Sequence, residues 1–191
     1  MIDSLLANLH MLRPPEFWNR LILNERQYFV LTLHRPSNVD DGVRLHSTLS
    51  AIIEACRGFP VVFPVHPRTA AVLRTISTLP PSLKLVEPQP YLEFNFLVKG
   101  AQAVLTDSGG VTEEATVLGA PCLTLRNTTE RPETVTIGSN ELIGTDPRML
   151  KPALDRIFAG RWKTGGIPDK WDGKAGERIA KVLEHLLTQS P

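Results

Sequence analysis

Short apolar runs alternate with amphipathic stretches along this chain, and the two periods separate cleanly. The runs at 28–33 (YFVLTL), 60–65 (PVVFPV), 83–86 (LKLV), 103–106 (AVLT), 121–125 (PCLTL) and 141–144 (ELIG) are too short for helices. Most are apolar on both faces, as strands covered on both sides are. Between them, 43–56, 69–78, 92–99, 111–118 and 148–158 carry apolar residues at helical spacing. Asp146-Pro147 is the cap and first turn of the last of these, and Gly119-Ala120-Pro121 closes 111–118. Over 174–188, Ile179, Val182, Leu183, Leu186 and Leu187 form one stripe, which reads as the core face of a final helix with His185 turned to solvent. Residues 1–24 read as a lead-in helix capped by Asp3 and a second short helix after Pro14-Pro15, over 16–23. Residues 162–171 show no period.

Strand and helix in strict alternation predict an α/β fold, a doubly wound parallel sheet of Rossmann-like type with right-handed crossovers. The 191 residues suffice for one substantial core, so 1–191 is expected to be a single domain. Hydrophobic residues at 42% and charged ones at 21% are those of a soluble globular chain. A net charge of +1 removes the basic field that nucleic acid or an anionic membrane surface would need. No apolar run reaches the length of a membrane span and no signal peptide opens the chain, so a cytoplasmic location is expected. Cys56 and Cys122 lack metal-ligand spacing and read as reduced core thiols, and no metal site is expected.

Composition leaves the chemistry open, and the ends of the strands narrow it. After 103–106 comes Asp107-Ser108-Gly109-Gly110, then a helix with Glu113 and Glu114 in its first turn. Such a turn puts free backbone N–H groups at the carboxyl edge of a parallel sheet, with the Ser108 hydroxyl as a further donor and two glycines free to adopt positive φ. Many α/β proteins carry this turn for packing alone. Here the loop after the next strand, Arg126 to Glu133 (RNTTERPE), returns two carboxylates and two arginines to the same edge. Together they read as a nucleotide diphosphate clamp. Two other strands end in cationic pairs, His34-Arg35 and His66-Pro67-Arg68. His34 can carry a proton near neutral pH, whereas His66 either meets a second anion or simply caps and packs. Of Phe94 and Phe96, one is expected in the core, and an aromatic beside Gln89 could cover a planar base.

These same segments resemble the non-hydrolysing UDP-N-acetylglucosamine 2-epimerases: LTLHRPSN, VVFPVHP, EPQPYLEF, LTDSGGVTEEATVLGAPCLTLR, NTTERPETVTIG and DGKAGERIA, in order over most of 28–182. MIDSL at the start looks like that family's crossing into its second domain. The resemblance implies the UDP-binding second domain of a two-domain GT-B enzyme about twice as long, with the first domain and its proton-transfer carboxylates missing. It implies anti elimination of UDP from UDP-GlcNAc and re-addition on the other face to give UDP-ManNAc, without nicotinamide, metal or other cofactor. It assigns uridine to Gln89 and Phe94, diphosphate to Ser108, Gly109 and Gly110, ribose hydroxyls to Glu114, a further ligand contact to Arg131, and the active-site histidine to His34. Glu113, roughly 100° around the helix, is expected at the surface or behind the ligand contacts. Arg35 and His66 match positions tied to a second, activating UDP-GlcNAc. Many members follow the histidine with Arg-Arg-Glu-Asn, where this chain has Arg35-Pro36-Ser37-Asn38, which weakens the expectation of allostery. A homodimer is among the expected assemblies. Competing readings are a GT-B glycosyltransferase donor domain, against which the TTERPE run argues, and a nucleotide-sugar binding module without chemistry.

Overall fold

The computed structural model describes residues 1–76 and 78–188. Six parallel strands form one sheet: β1 (Phe29–Thr32), β2 (Val61–Pro64), β3 (Leu83–Val86), β4 (Ala103–Thr106), β5 (Cys122–Thr124) and β6 (Asn140–Leu142), in the order β3-β2-β1-β4-β5-β6. The expected doubly wound sheet is therefore present. Side chains alternate along each strand, and the alternation sorts them into two cores. Phe29, Leu31, Val61, Phe63, Leu105 and Leu123 enter one. It is covered by α3 (Gly42–Ala55), α4 (Pro67–Leu73) and α8 (Leu150–Phe158). Val30, Val62, Val104 and Cys122 enter the other, beneath α5 (Tyr91–Gly100), α6 (Gly109–Val117) and the lead-in residues Phe17 and Leu23. Both cysteines are buried free thiols, and desolvation pushes both pKa values up.

Strand order reverses between β1 and β4. The chain moves outward from β1 to β3, then α5 carries it back to the other side of β1. Loops leaving β1 and β4 consequently diverge and leave a crevice at the carboxyl edge. Gly119, at φ +66°, ends α6, with Ala120 N–H donating to Ala115 C=O at 2.9 Å. Asp146 accepts from Arg148 N at 3.0 Å as expected, although the first turn it caps is a 3-10 turn, Pro147–Met149, ahead of α8.

Several expectations are corrected. In place of the helix expected over 16–23, residues 16–22 form turns, with Ile22 at φ 52°. Burying Phe17 and Leu23 in one core, six residues apart, draws both ends of the segment onto the sheet. Asp3 lies within α1 (Ile2–Asn8) instead of capping it, and its carboxylate accepts from Gly176 N at 2.8 Å. Two single-turn helices replace expected loop: α2 (Pro36–Val39) and α7 (Pro132–Thr136), each opened by a proline whose fixed φ suits a first turn. The helix expected over 69–78 ends at Leu73, and Ser77 lies outside the described residues. The final helix, α9 (Ala175–Thr188), forms, but its stripe is not core. Ile179, Val182, Leu183, Leu186 and Leu187 are 54–77% exposed. His185 is exposed, as expected.

Candidate functional site

Register builds the floor of the crevice. Thr32, Thr106 and Thr124 are aligned partners at the ends of β1, β4 and β5. The hydroxyls of Thr32 and Thr106 hydrogen-bond at 2.6 Å, and Thr106 Oγ1 also accepts from Ser108 N at 3.0 Å. β4 thus turns directly into α6, with Ser108 extended at the N-cap and, among the described residues, no side-chain cap on its hydroxyl. The opening amides of α6, from Gly109, Gly110 and Val111, have no intrahelical acceptors and lie at the positive end of the helix dipole. Neither Gly109 nor Gly110 uses the positive φ open to it. Their contribution is space: a Cβ on Gly110 would lie 3.0 Å from Met1 Cε, and one on Gly109 3.5 Å from Glu130 Oε2.

Cations lie over this turn. Arg126 holds Glu130 in a bidentate pair at 2.7 and 2.8 Å, and Arg35 reaches the same carboxylate at 3.3 Å. Arg126 is the main reason that Glu130 titrates at about 2. Arg35 also donates from Nε to the Asp107 carbonyl at 3.3 Å. Arg131 turns along α6, with Nε 2.8 Å from Glu113 Oε1. Glu113 is buried at 9% exposure, which leaves the second of its two expected places, behind the loop that folds over it and supplies its counter-ion, rather than the surface. A buried polar chain anchors that loop. Thr124 donates to Asn140 at 2.7 Å, Asn140 to the Thr134 hydroxyl at 3.0 Å, and Thr134 to the Arg131 carbonyl at 2.7 Å.

Glu114 faces α5. It is 7% exposed and accepts hydrogen bonds from Asn95 and the Tyr91 hydroxyl. Burial is the main cause of its raised pKa, which those bonds oppose. Tyr91 is pushed up to about 12 by desolvation, with the Glu114 carboxylate adding to it. Phe94 is the aromatic that packs on the core, while Phe96 sits edge-on to Trp18 at 5.1 Å. Gln89 donates to the Glu87 carbonyl at 2.7 Å. It lines an open groove of about 1460 Å³ at the carboxyl end of β3, walled by Arg13, Arg74 and Val86. Ser108, Gly109 and Gly110 do not line that groove.

His34 and Asp107 close the crevice between β1 and β4. His34 Nδ1 is 2.9 Å from Asp107 Oδ1, and the His66 ring is 6.1 Å away, centroid to centroid. His66 Nδ1 caps α4 by accepting from Arg68 N at 3.2 Å. The structure therefore gathers His34, Arg35, His66, Ser108, Gly109 and Gly110 at the crevice, holds Arg131 against Glu113 beside it, sets Glu114 and Phe94 on the α5 side, and places Gln89 apart at the groove. Asp107 and Asn38 join the crevice residues through the hydrogen bonds to the Asp107 carboxylate and were given no role of their own from sequence, whereas Arg126 and Glu130 come from the charged loop already read as part of the clamp. A carboxylate directly after a buried strand was the available signal for Asp107. Among the described residues, no group of three or more His, Cys, Asp or Glu is placed to hold a metal ion, and no helix is long and apolar enough to cross a membrane.

A family model described as UDP-N-acetylglucosamine 2-epimerase matches residues 1–184. A protein of that name from Methanocaldococcus jannaschii is 38% identical, covering 97% of this chain and 53% of its own length. A UDP-2,3-diacetamido-2,3-dideoxy-D-glucuronate 2-epimerase from Pseudomonas aeruginosa is 39% identical over 83% of this chain and 45% of its own. The crystal structure of the Methanocaldococcus jannaschii UDP-GlcNAc 2-epimerase in complex with UDP-GlcNAc and UDP superposes with a TM-score of 0.79 at 38% identity, over 96% of this chain and 52% of that one. This chain spans about half the length of the curated relatives it matches.

Proposed function

Because the chain belongs to the UDP-N-acetylglucosamine 2-epimerase family, we propose that it supplies the UDP-binding half of an enzyme interconverting UDP-GlcNAc and UDP-ManNAc in the cytoplasm. One observation carries this reading: the free first turn of α6 lies under Arg126 and Arg35 at the point where strand order reverses. Backbone donors and guanidinium groups converging on a water-accessible turn favour a diphosphate.

The roles follow from position. Ser108, Gly109 and Gly110 take the diphosphate, with Arg131 and Arg35 beside them. Glu114 takes the ribose hydroxyls, since a carboxylate holding two protein donors keeps lone pairs for others. Gln89, on the groove, and Phe94, half-buried on α5, serve the uridine end. His34 carries a proton at the leaving oxygen, and nearby cations stabilise the charge that develops on UDP as the C–O bond breaks. His66 keeps Nε2 for a second anion while Nδ1 caps α4. Proton transfer at sugar C2 falls to carboxylates of a preceding domain, so this chain alone binds UDP at most weakly and does not epimerise. The names of the relatives differ in the sugar and share UDP, so UDP is the ligand to test.

Calorimetric titration of UDP into the chain, with ADP and Glu114→Ala as controls, is expected to show UDP-selective binding that weakens about tenfold or more in the variant. No binding at millimolar UDP would reject the half-site. Incubation with UDP-GlcNAc is expected to yield no UDP-ManNAc, and turnover at a normal enzymatic rate would overturn the division of labour.

A further inference from the structure

We propose that Asp107 is a positioning residue that holds neutral His34 in its Nδ1–H tautomer, leaving Nε2 as the nitrogen offered to a ligand. The ligand's identity rests on the nucleotide reading above, whereas the tautomer follows from the chain itself.

Asp107 is fully buried. Oδ2 accepts from His34 N at 3.1 Å, Arg35 N at 2.9 Å and Asn38 Nδ2 at 3.1 Å. Oδ1 accepts from His34 N at 3.2 Å and lies 2.9 Å from His34 Nδ1. Every neighbour of known polarity is a donor, so the carboxylate has only acceptors to present. A buried carboxylate leaves no lone pair facing another lone pair without a large desolvation penalty. The proton in the His34–Asp107 contact therefore sits on Nδ1. Nε2, which has no hydrogen-bond partner among the described residues, carries the lone pair when the ring is neutral and an N–H when it is protonated. Which ring nitrogen is free is set by what the other one binds. Asp107 joins the loops after β1 and β4, so the same contact also fixes the ring at the crevice.

The pattern predicts what an amide would do. In Asp107→Asn, the single oxygen serves best at the Oδ2 position, where three N–H groups point. The NH₂ then faces His34 Nδ1 and requires it to accept, which moves the ring proton to Nε2.

Two-bond ¹H–¹⁵N correlation spectra of the labelled chain, at a pH where the ring is neutral, read the tautomer directly. The His34 signals are identified by their loss in His34→Gln. The expected result is a protonated Nδ1 and a lone-pair Nε2 in the native chain, reversed in Asp107→Asn. A native His34 with a protonated Nε2, or with two averaged nitrogen shifts, overturns the proposal, as does an unchanged pattern in the folded variant. If Asp107→Asn loses the amide dispersion of a folded protein, the native spectrum alone decides. A native Nδ1–H tautomer in a chain that fails to bind added UDP would sink the nucleotide reading and leave the role of Asp107 standing.

Discussion

Glu113 and Glu114 are adjacent in sequence and both buried, yet they face different partners with different consequences. Glu113 meets the Arg131 guanidinium at 2.8 Å. Arg131→Ala strands that carboxylate beneath the loop and is expected to lower stability by about 1–3 kcal/mol. In a urea-denaturation cycle, the Glu113→Gln, Arg131→Ala double variant should lose less than the sum of the two single losses; strict additivity would show that the pair is not coupled. Glu114 faces Asn95 and Tyr91 instead, and burial raises its pKa above the ordinary 4.5 against the opposing pull of those donors and of the Met1 ammonium. The folded chain therefore holds this proton more tightly than the unfolded chain does. The stabilisation is complete below about pH 4.5 and lost as pH rises through the folded value. Glu114→Gln should flatten that decline, visible as a smaller change in urea midpoint above pH 4.5. Glu130 does not obscure this window, since its own pKa is lowered to about 2 and its contribution fades only as pH falls below 4.5. A slope unchanged in Glu114→Gln would refute the assignment.

Among the elements, α6 and α9 show how little an amphipathic pattern says about where a helix goes. α6 has a weak apolar stripe and is nonetheless fixed by sheet, loop and α5. α9 has a strong stripe that stays largely exposed, with its root tied to α1 through Asp3 and Gly176. A helix of that length standing clear of a core is marginal in water. Amide hydrogen exchange in α9 is accordingly expected to be far faster than in α6, and Asp3→Ala should speed it further. Leu183→Lys with Leu187→Lys should shift stability by no more than about 0.5 kcal/mol, since both positions are already exposed. A cooperative loss of several kcal/mol would mean that the stripe is core after all. Exposed apolar stripes of this kind mark faces that another body covers, which agrees with the proposed preceding domain.

The whole molecule is held by two cores on one sheet, and the strands are where they meet. Leu31 and Leu123 are fully buried on the α3–α8 side. Leu123→Ala is expected to cost about 2–5 kcal/mol by thermal or urea unfolding, in contrast to the α9 substitutions. The two-sided burial explains why the edge of the sheet can carry so much polarity. With the interior apolar on both faces, the buried threonine row, Asp107 and the arginine cluster gather at the carboxyl ends, where loops supply their partners.

The order of elements, the parallel sheet and the clustering of chemistry at strand ends were legible in the sequence, because a strand buried on both faces and an amphipathic helix leave different periods. So were the Ser108 turn and its polar companion loop, since glycine pairs and dense charge stand out locally. The family resemblance sharpened this into named contacts. Tertiary structure alone decided the fate of residues 16–23, the burial of Glu113, the cap formed by His66, the hub at Asp107 and the exposure of α9. Three of these depend on a partner distant in the chain: Phe17 and Leu23 on the sheet, Glu113 on Arg131, Asp107 on the turn after β1. Periodicity records which side chains favour burial or charge, and it carries no record of which distant surface will meet them.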